Sequence, residues 1–149
     1  MDYETAYAAI NLGVLPAWLL LFFAPGSGLT KRLVHSGLYP AAYGTLYTVL
    51  LVRAMFFGVS AEDAGMASVA EVAAFFSHPN GVLLGWAHYL VFDLFVGAWI
   101  ARDGARRAVA RWKLVPCLFF TLMVGPLGLL LYIVVRKFST EASLALEEN

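Results

Sequence analysis

Long apolar stretches alternate with short polar breaks along the whole chain. Four of these stretches, at about residues 3–23, 39–57, 81–101 and 114–135, have close to the ~20 residues that a helix needs to cross a hydrocarbon core of roughly 30 Å. A shorter helical pattern at about residues 68–76 lies between the second and third stretches. The pattern predicts an all-α integral membrane four-helix bundle with a short interfacial or re-entrant half-helix between spans 2 and 3.

Composition supports the same class, because 61% of the residues are hydrophobic, 13% are charged and the mean hydropathy is +0.76. We therefore expect a single transmembrane domain over residues 1–149, ending in a polar tail at 138–149. Lys and Arg equal Asp and Glu in number, and no basic domain is present, so we expect no nucleic-acid partner. Membrane lipids are the expected partners, and a homo-oligomer or a larger membrane complex is compatible with this composition.

The distribution of basic residues predicts an orientation in the membrane. Lys and Arg concentrate in the loops at residues 24–38 and 102–113, whereas the connection at 58–80 contains none. Because basic loops favour the cytoplasmic side, both termini are expected outside the cytoplasm, although Arg136 and Lys137 do not follow this pattern. The chain opens without a basic or Ser- and Arg-rich leader, and a bacterial inner membrane is the expected location.

Two ionisable residues, His88 and Asp93, lie inside the third predicted span. A charged side chain at mid-membrane costs at least about 2.5–3.5 kcal/mol on insertion scales, so each residue needs a partner. At ~100° per residue the two side chains point roughly 140° apart and cannot bond to each other along one helix. Asn11 and Tyr89 are the expected companions of Asp93. A structural hydrogen bond and a role in catalysis, proton transfer or ligand contact both remain open for each residue.

Pro126 stands in the middle of the fourth predicted span, within the string "VGPLG". A proline removes one helical hydrogen bond and frees a carbonyl near Leu122, which predicts a kink. The kink either forms the wall of a pocket or serves packing through Gly125 and Gly128.

Aromatic residues make up 15% of the chain. Tyr43, Tyr47 and Phe92 lie too deep for an interfacial belt, and with Trp86 they are candidates for contact with a conjugated or isoprenoid ligand. Ordinary helix packing explains the same residues. Three histidines without ligand spacing and one cysteine predict no metal site, and no motif requires a cofactor.

Two strings resemble a known family. "HPNGVLLGWAHYLVFDLFVGAWIARD" at residues 78–103 carries the pattern W-x-HYL-x-FDLFVG-x-W, and "GPLGLLLY" occupies residues 125–132. Both are similar to the abscisic-acid-deficient-4-like membrane family, whose plant members are linked to neoxanthin synthesis. The resemblance covers almost the whole chain in length and topology.

The resemblance implies a carotenoid or other isoprenoid ligand and an isomerase-type reaction in which an epoxide opens and an allene forms. Such a reaction needs an acid at the epoxide oxygen and a base for a carbon-bound proton. The implied catalytic residues are Asp93, His88 and Tyr89. The implied substrate-binding residues are Asn11, Tyr43, Tyr47, Trp86, Phe92, Gly125 and Pro126. The alternative is a non-catalytic pigment-binding, lipid-binding or assembly subunit of a membrane complex.

Overall fold

The computed structural model describes residues 2–139, and every regular element in this range is a helix. The predicted all-α class is therefore confirmed for the described residues, and the predicted tail from residue 140 onward lies outside them. In chain order the helices are α1 (Tyr3–Phe23), α2 (Gly28–Leu33), α3 (Leu38–Phe56), α4 (Val69–Ser77), α5 (Pro79–Arg106), α6 (Arg111–Val124) and α7 (Pro126–Ser139).

The short helix α4 occupies the place of the predicted half-helix. Ser68 caps its N-terminus by accepting a hydrogen bond from the Glu71 backbone N–H at 3.2 Å. The Glu71 carboxylate reaches back to the Ala67 N–H at 2.9 Å, which completes a reciprocal cap. The backbone is extended at His78, and α5 then begins at Pro79, a position where the missing N–H costs nothing.

The helices cluster into two compact units. Unit 1 comprises Met1–Leu15 and Gly37–Val91, and unit 2 comprises Pro16–Ser36 and the chain from Phe92 onward. The division falls inside both α1 and α5, so each of these helices contributes to both cores. This clustering does not test the predicted single transmembrane domain, which stays a prediction.

In unit 1 the core lies among α1, α3 and α5. Its buried apolar side chains include Ile10, Val14, Leu50 and Leu83. Asn80 is fully buried near the start of α5 and donates from Nδ2 to the Leu50 carbonyl at 3.0 Å. This hydrogen bond ties the first turn of α5 to α3.

In unit 2 the helices approach closely at small residues. Trp18 is fully buried on α1, and a Cβ at Gly97 of α5 would come within 2.6 Å of its ring. Arg111 at the start of α6 donates to the Phe22 carbonyl at 2.9 Å, which satisfies a backbone group at the end of α1. Glycine at the contact therefore lets α1 and α5 pack closely in unit 2.

The predicted fourth span at residues 114–135 is two helices rather than one. Gly125, with a φ of 39°, ends α6, and Pro126 begins α7, which runs back along α6. Lys113 Nζ at one end of the pair lies 3.0 Å from Ser139 Oγ at the end of α7. In a continuous helix these residues would lie about 39 Å apart. The predicted kink at Pro126 is thus a full reversal, because the left-handed backbone of Gly125 precedes a proline.

The two arms of this helical hairpin pack without space between their backbones. A Cβ at Gly128 would overlap the Thr121 backbone, and the Thr121 hydroxyl donates to the Cys117 carbonyl at 2.8 Å. Each arm has 14 residues and is therefore about 21 Å long. Neither arm alone reaches across a hydrocarbon core of roughly 30 Å.

Two helices in residues 2–139, α1 and α5, are long and apolar enough to cross a membrane, rather than the four predicted spans. In α3 the length is sufficient, but three tyrosines, two threonines and Arg53 make it more polar. Only 28% of the most apolar stretch of α1 is buried, which is unlike the core helix of a soluble protein. The two helices indicate that the protein associates with a membrane.

Candidate functional site

A cavity of about 440 Å³ lies among α1, α3 and α5 in unit 1. Its volume falls in the range of small-molecule sites. The wall is almost wholly apolar, with the Tyr43 hydroxyl as its one side-chain polar group: Ala6, Ala9, Ile10, Gly13, Ala42, Tyr43, Leu46, Leu50 and Leu83. Ala6, Ala9 and Gly13 follow at spacings of three and four residues and share one face of α1. Because their side chains are so small, the cavity extends to the α1 backbone.

Tyrosine hydroxyls tie α3 to α1 at this cavity. The buried Tyr43 donates from its hydroxyl to the Ile10 carbonyl at 2.6 Å, and Tyr39 donates to the Gly13 carbonyl at 3.3 Å. The two rings stack with centroids 6.2 Å apart. Tyr43 is therefore a rigid wall element, and it is the one predicted ligand-contact residue that lines the cavity.

Three further predicted residues form an aromatic group in unit 1. The His88 ring lies 5.8 Å from the Tyr47 ring and 6.2 Å from the Tyr89 ring, measured between centroids. His88 is exposed, and 58% of Tyr89 is exposed. The structure thus brings His88, Tyr47 and Tyr89 together at a surface of the described chain.

Asn11 and Trp86 also meet in unit 1. The Trp86 indole N–H donates to Asn11 Oδ1 at 3.0 Å, and the Trp86 ring lies 5.6 Å from that of Tyr7. Asn11 uses its N–H group to donate to the Tyr7 carbonyl at 2.8 Å. Both ends of the Asn11 amide are thus engaged, and the expectation that Asn11 is a companion of Asp93 stays a prediction.

Asp93 belongs to unit 2, where its half-buried carboxylate lies against Gly125 at the turn of the α6–α7 hairpin. A Cβ at position 125 would overlap the carboxylate. Within residues 2–139, no hydrogen bond or ion pair joins the Asp93 carboxylate to another residue. The two strings of the family resemblance therefore meet in space, at Asp93 and Gly125.

The predicted site residues divide between the units. Unit 1 contains Asn11, Tyr43, Tyr47, Trp86, His88 and Tyr89, whereas unit 2 contains Phe92, Asp93, Gly125 and Pro126. Phe92 is 57% exposed, and Pro126 opens α7. The cavity residues on α1, and Ala42 on α3, were missed by sequence reasoning, since an Ala or Gly in an apolar helix carries no chemical signal.

Sequence reasoning also missed a buried ionic cluster in unit 2. Asp103 is 1% exposed and accepts hydrogen bonds from Arg106 at 3.2 Å, Arg107 at 3.0 Å, Arg136 at 3.3 Å and the Tyr132 hydroxyl at 2.6 Å. Arg106 and Arg107 follow Asp103 by three and four residues, and this spacing alone predicts ion pairs along a helix. The Arg136 and Tyr132 contacts depend on the reversal at Gly125.

Comparison with known proteins agrees with the resemblance in the two strings. A model of the ABA DEFICIENT 4-like family matches residues 5–132, which include both strings. The chain is 26% identical over 142 residues to Protein ABA DEFICIENT 4, chloroplastic, of Arabidopsis thaliana, in a match that covers 89% of this chain and 61% of that protein. The chain thus spans about three fifths of that relative's length. No solved structure matches it.

Proposed function

Because the chain belongs to the ABA DEFICIENT 4-like family, we propose that it is an integral membrane protein that binds a carotenoid or another isoprenoid lipid in the cavity of unit 1. The observation that carries this proposal is the apolar wall of that cavity. A hydrocarbon ligand has no polar group that needs a hydrogen-bond partner. The one side-chain hydroxyl of the wall already bonds the Ile10 carbonyl, so the wall needs no polar group from the ligand.

The proposed arrangement in the membrane follows from the hairpin. We assign α1, α3 and α5 as crossing helices and α6–α7 as a re-entrant hairpin, since its two ends meet at Lys113 and Ser139. Arg136 and Lys137 then return to the side of the basic loops, in agreement with the positive-inside pattern. On this proposal the N-terminus lies outside the cytoplasm and the end of α7 lies inside, and the charge asymmetry suits a bacterial inner membrane.

Asp93 of unit 2 carries a second candidate function, acid–base isomerisation of an isoprenoid substrate. Its carboxylate lies in an apolar helix and contacts the turn at Gly125. Among residues 2–139, no basic side chain forms an ion pair with it. A carboxyl group in such surroundings is suited to proton transfer. The exposed pair His88 and Tyr89 in unit 1 is a separate candidate for proton transfer. The non-catalytic alternative assigns all three residues to helix packing or subunit contact.

Ligand binding is tested by filling the cavity. Ala42→Phe places a ring in the space of the ligand, whereas Ala41→Phe adds the same ring at a neighbouring exposed residue outside the lining. We expect protein purified in mild detergent from a carotenoid-producing host to carry pigment in the wild type and in Ala41→Phe. Ala42→Phe should carry about tenfold less, which corresponds to about 1.4 kcal/mol of lost affinity. Equal pigment in both variants, by absorption and extraction, would refute the cavity as the site.

Catalysis is tested by Asp93→Asn, which keeps the volume of the side chain and removes its titration. An enzyme should keep bound ligand while the ratio of product to substrate in the extract falls by about a hundredfold or more. Chromatography of the extracted pigments measures this ratio. An unchanged ratio together with unchanged binding would favour the non-catalytic binding subunit.

A further inference from the structure

A second cavity, in unit 2, has the opposite chemistry to the first. Its volume is about 360 Å³, and three basic side chains, Lys31, Arg102 and Arg106, contribute to its wall. The remaining lining residues are Pro25, Gly26, His35, Ala101 and Ala105. No carboxylate belongs to this lining within residues 2–139, and we refer to the cavity as the basic pocket.

His35 and Arg102 are bonded to each other inside the basic pocket. Arg102 Nη1 lies 3.2 Å from His35 Nδ1, and His35 Nε2 lies 3.1 Å from the Pro25 carbonyl oxygen. Because a guanidinium only donates, Nδ1 accepts and Nε2 carries the proton that bonds Pro25. His35 is therefore neutral, and burial together with the nearby charges of Arg102 and Lys31 lowers its pKa. Arg102 accordingly faces a neutral ring instead of a counter-ion.

Among residues 2–139, one carboxylate, that of Asp103, pairs with a basic side chain of the pocket. Asp103 pairs with Arg106 at 3.2 Å, and the same carboxylate also pairs with Arg107 and Arg136. Arg106 also keeps 60% of its side chain exposed. In the described part of the chain, the lining of the basic pocket thus has three basic groups and no carboxylate, a surplus of positive charge that an anion would satisfy.

We propose that the basic pocket binds the phosphate or diphosphate group of an amphiphilic molecule. Two guanidinium groups and an ammonium group supply the donors that phosphate oxygens accept, in a space too large for a single small ion. Arg102 and Arg106 occupy the last turns of α5, one of the two apolar helices, which is the level where the headgroups of a bilayer lie. The phosphate then stays among the basic side chains while the hydrocarbon chain of the ligand lies in the membrane.

The test uses native mass spectrometry of the purified full chain in a phosphate-free maltoside detergent. Three probes are added separately: phosphatidylglycerol, farnesyl diphosphate and inorganic phosphate. Lys31→Gln and Arg102→Gln each remove one charge from the basic pocket, and Arg32→Gln removes one from the exposed neighbouring residue outside it. Lys31 is exposed, so its variant keeps the test decisive if Arg102→Gln fails to fold.

We expect phosphatidylglycerol or farnesyl diphosphate to bind the wild type and Arg32→Gln equally. Binding should weaken about tenfold or more in Arg102→Gln and about threefold in Lys31→Gln. Tighter binding of phosphatidylglycerol would identify a lipid headgroup as the source of the phosphate, and tighter binding of farnesyl diphosphate would identify an isoprenoid diphosphate. If inorganic phosphate bound and neither amphiphile did, the proposal of an amphiphilic ligand would be wrong. If all three variants bound the probes equally, the proposal that the basic pocket is the binding site would be wrong. The assay requires no pigment, so its outcome is independent of the proposed function of unit 1.

Discussion

At the scale of single residues, Gly125 is constrained both by its own backbone and by a neighbouring side chain. Its φ of 39° lies in the left-handed region, and the Asp93 carboxylate occupies the space of a Cβ. We expect Gly125→Ala to destabilise the protein by about 2 kcal/mol or more, because the backbone penalty of about 1–2 kcal/mol adds to the overlap. Thermal unfolding in detergent, followed by size-exclusion chromatography, measures the change.

The matched control for this substitution is Gly44→Ala on α3. A Cβ at Gly44 meets nothing within 4 Å, and alanine favours a helix more than glycine does. Gly44→Ala should therefore unfold at the same or a higher temperature than the wild type. If Gly125→Ala unfolded at that temperature as well, the close contact between Asp93 and the turn would be wrong.

Individual residues also show what sequence reasoning could find. His88 and Asp93 were found because ionisable groups in an apolar helix stand out by their cost in a membrane. Ala6, Ala9 and Gly13 were not found, because a cavity is formed by the absence of side-chain atoms and only the packing of α1 against α3 reveals it. Tyr43 was found for its depth, and its hydrogen bond to Ile10 then placed it in the cavity wall.

At the scale of helices, the bounds of α1 and α3 agree with the predicted spans to within one residue. The hairpin escaped prediction because hydropathy is the same for one long helix and for two helices of 14 residues that fold back on each other. Only contacts between distant residues distinguish the two cases, such as Lys113 with Ser139 and Asp103 with Tyr132. A kink was predicted at Pro126, whereas the geometry at Gly125–Pro126 is a reversal of the chain.

Side-specific labelling tests the proposed re-entrant hairpin. In a Cys117→Ser background, which removes the single buried thiol, we introduce one cysteine at a time by Arg111→Cys, Lys137→Cys or Glu62→Cys. An impermeant maleimide should label positions 111 and 137 from the same side of the membrane and position 62 from the other. Labelling of position 137 from the side of position 62 would instead indicate a single crossing helix.

At the scale of the whole molecule, charge is strongly divided along the chain. Nine of the ten Lys and Arg residues belong to unit 2, and Arg53 is the one in unit 1. Of the two cavities, the apolar one belongs to unit 1 and the basic one to unit 2. This division suits a protein that holds a hydrocarbon in one unit and an anionic group in the other. The net charge of the whole chain does not reveal the division, because it is zero.

The central claim, that the cavity of unit 1 holds an isoprenoid ligand, is tested most directly by photocrosslinking. A diazirine analogue of leucine is placed at position 46, in the cavity wall, or at position 12, where Leu12 is 65% exposed. After illumination in membranes of a carotenoid-producing host, mass spectrometry should detect an isoprenoid adduct at position 46 and phospholipid adducts at position 12. Phospholipid adducts at both positions, with no isoprenoid at position 46, would contradict the account.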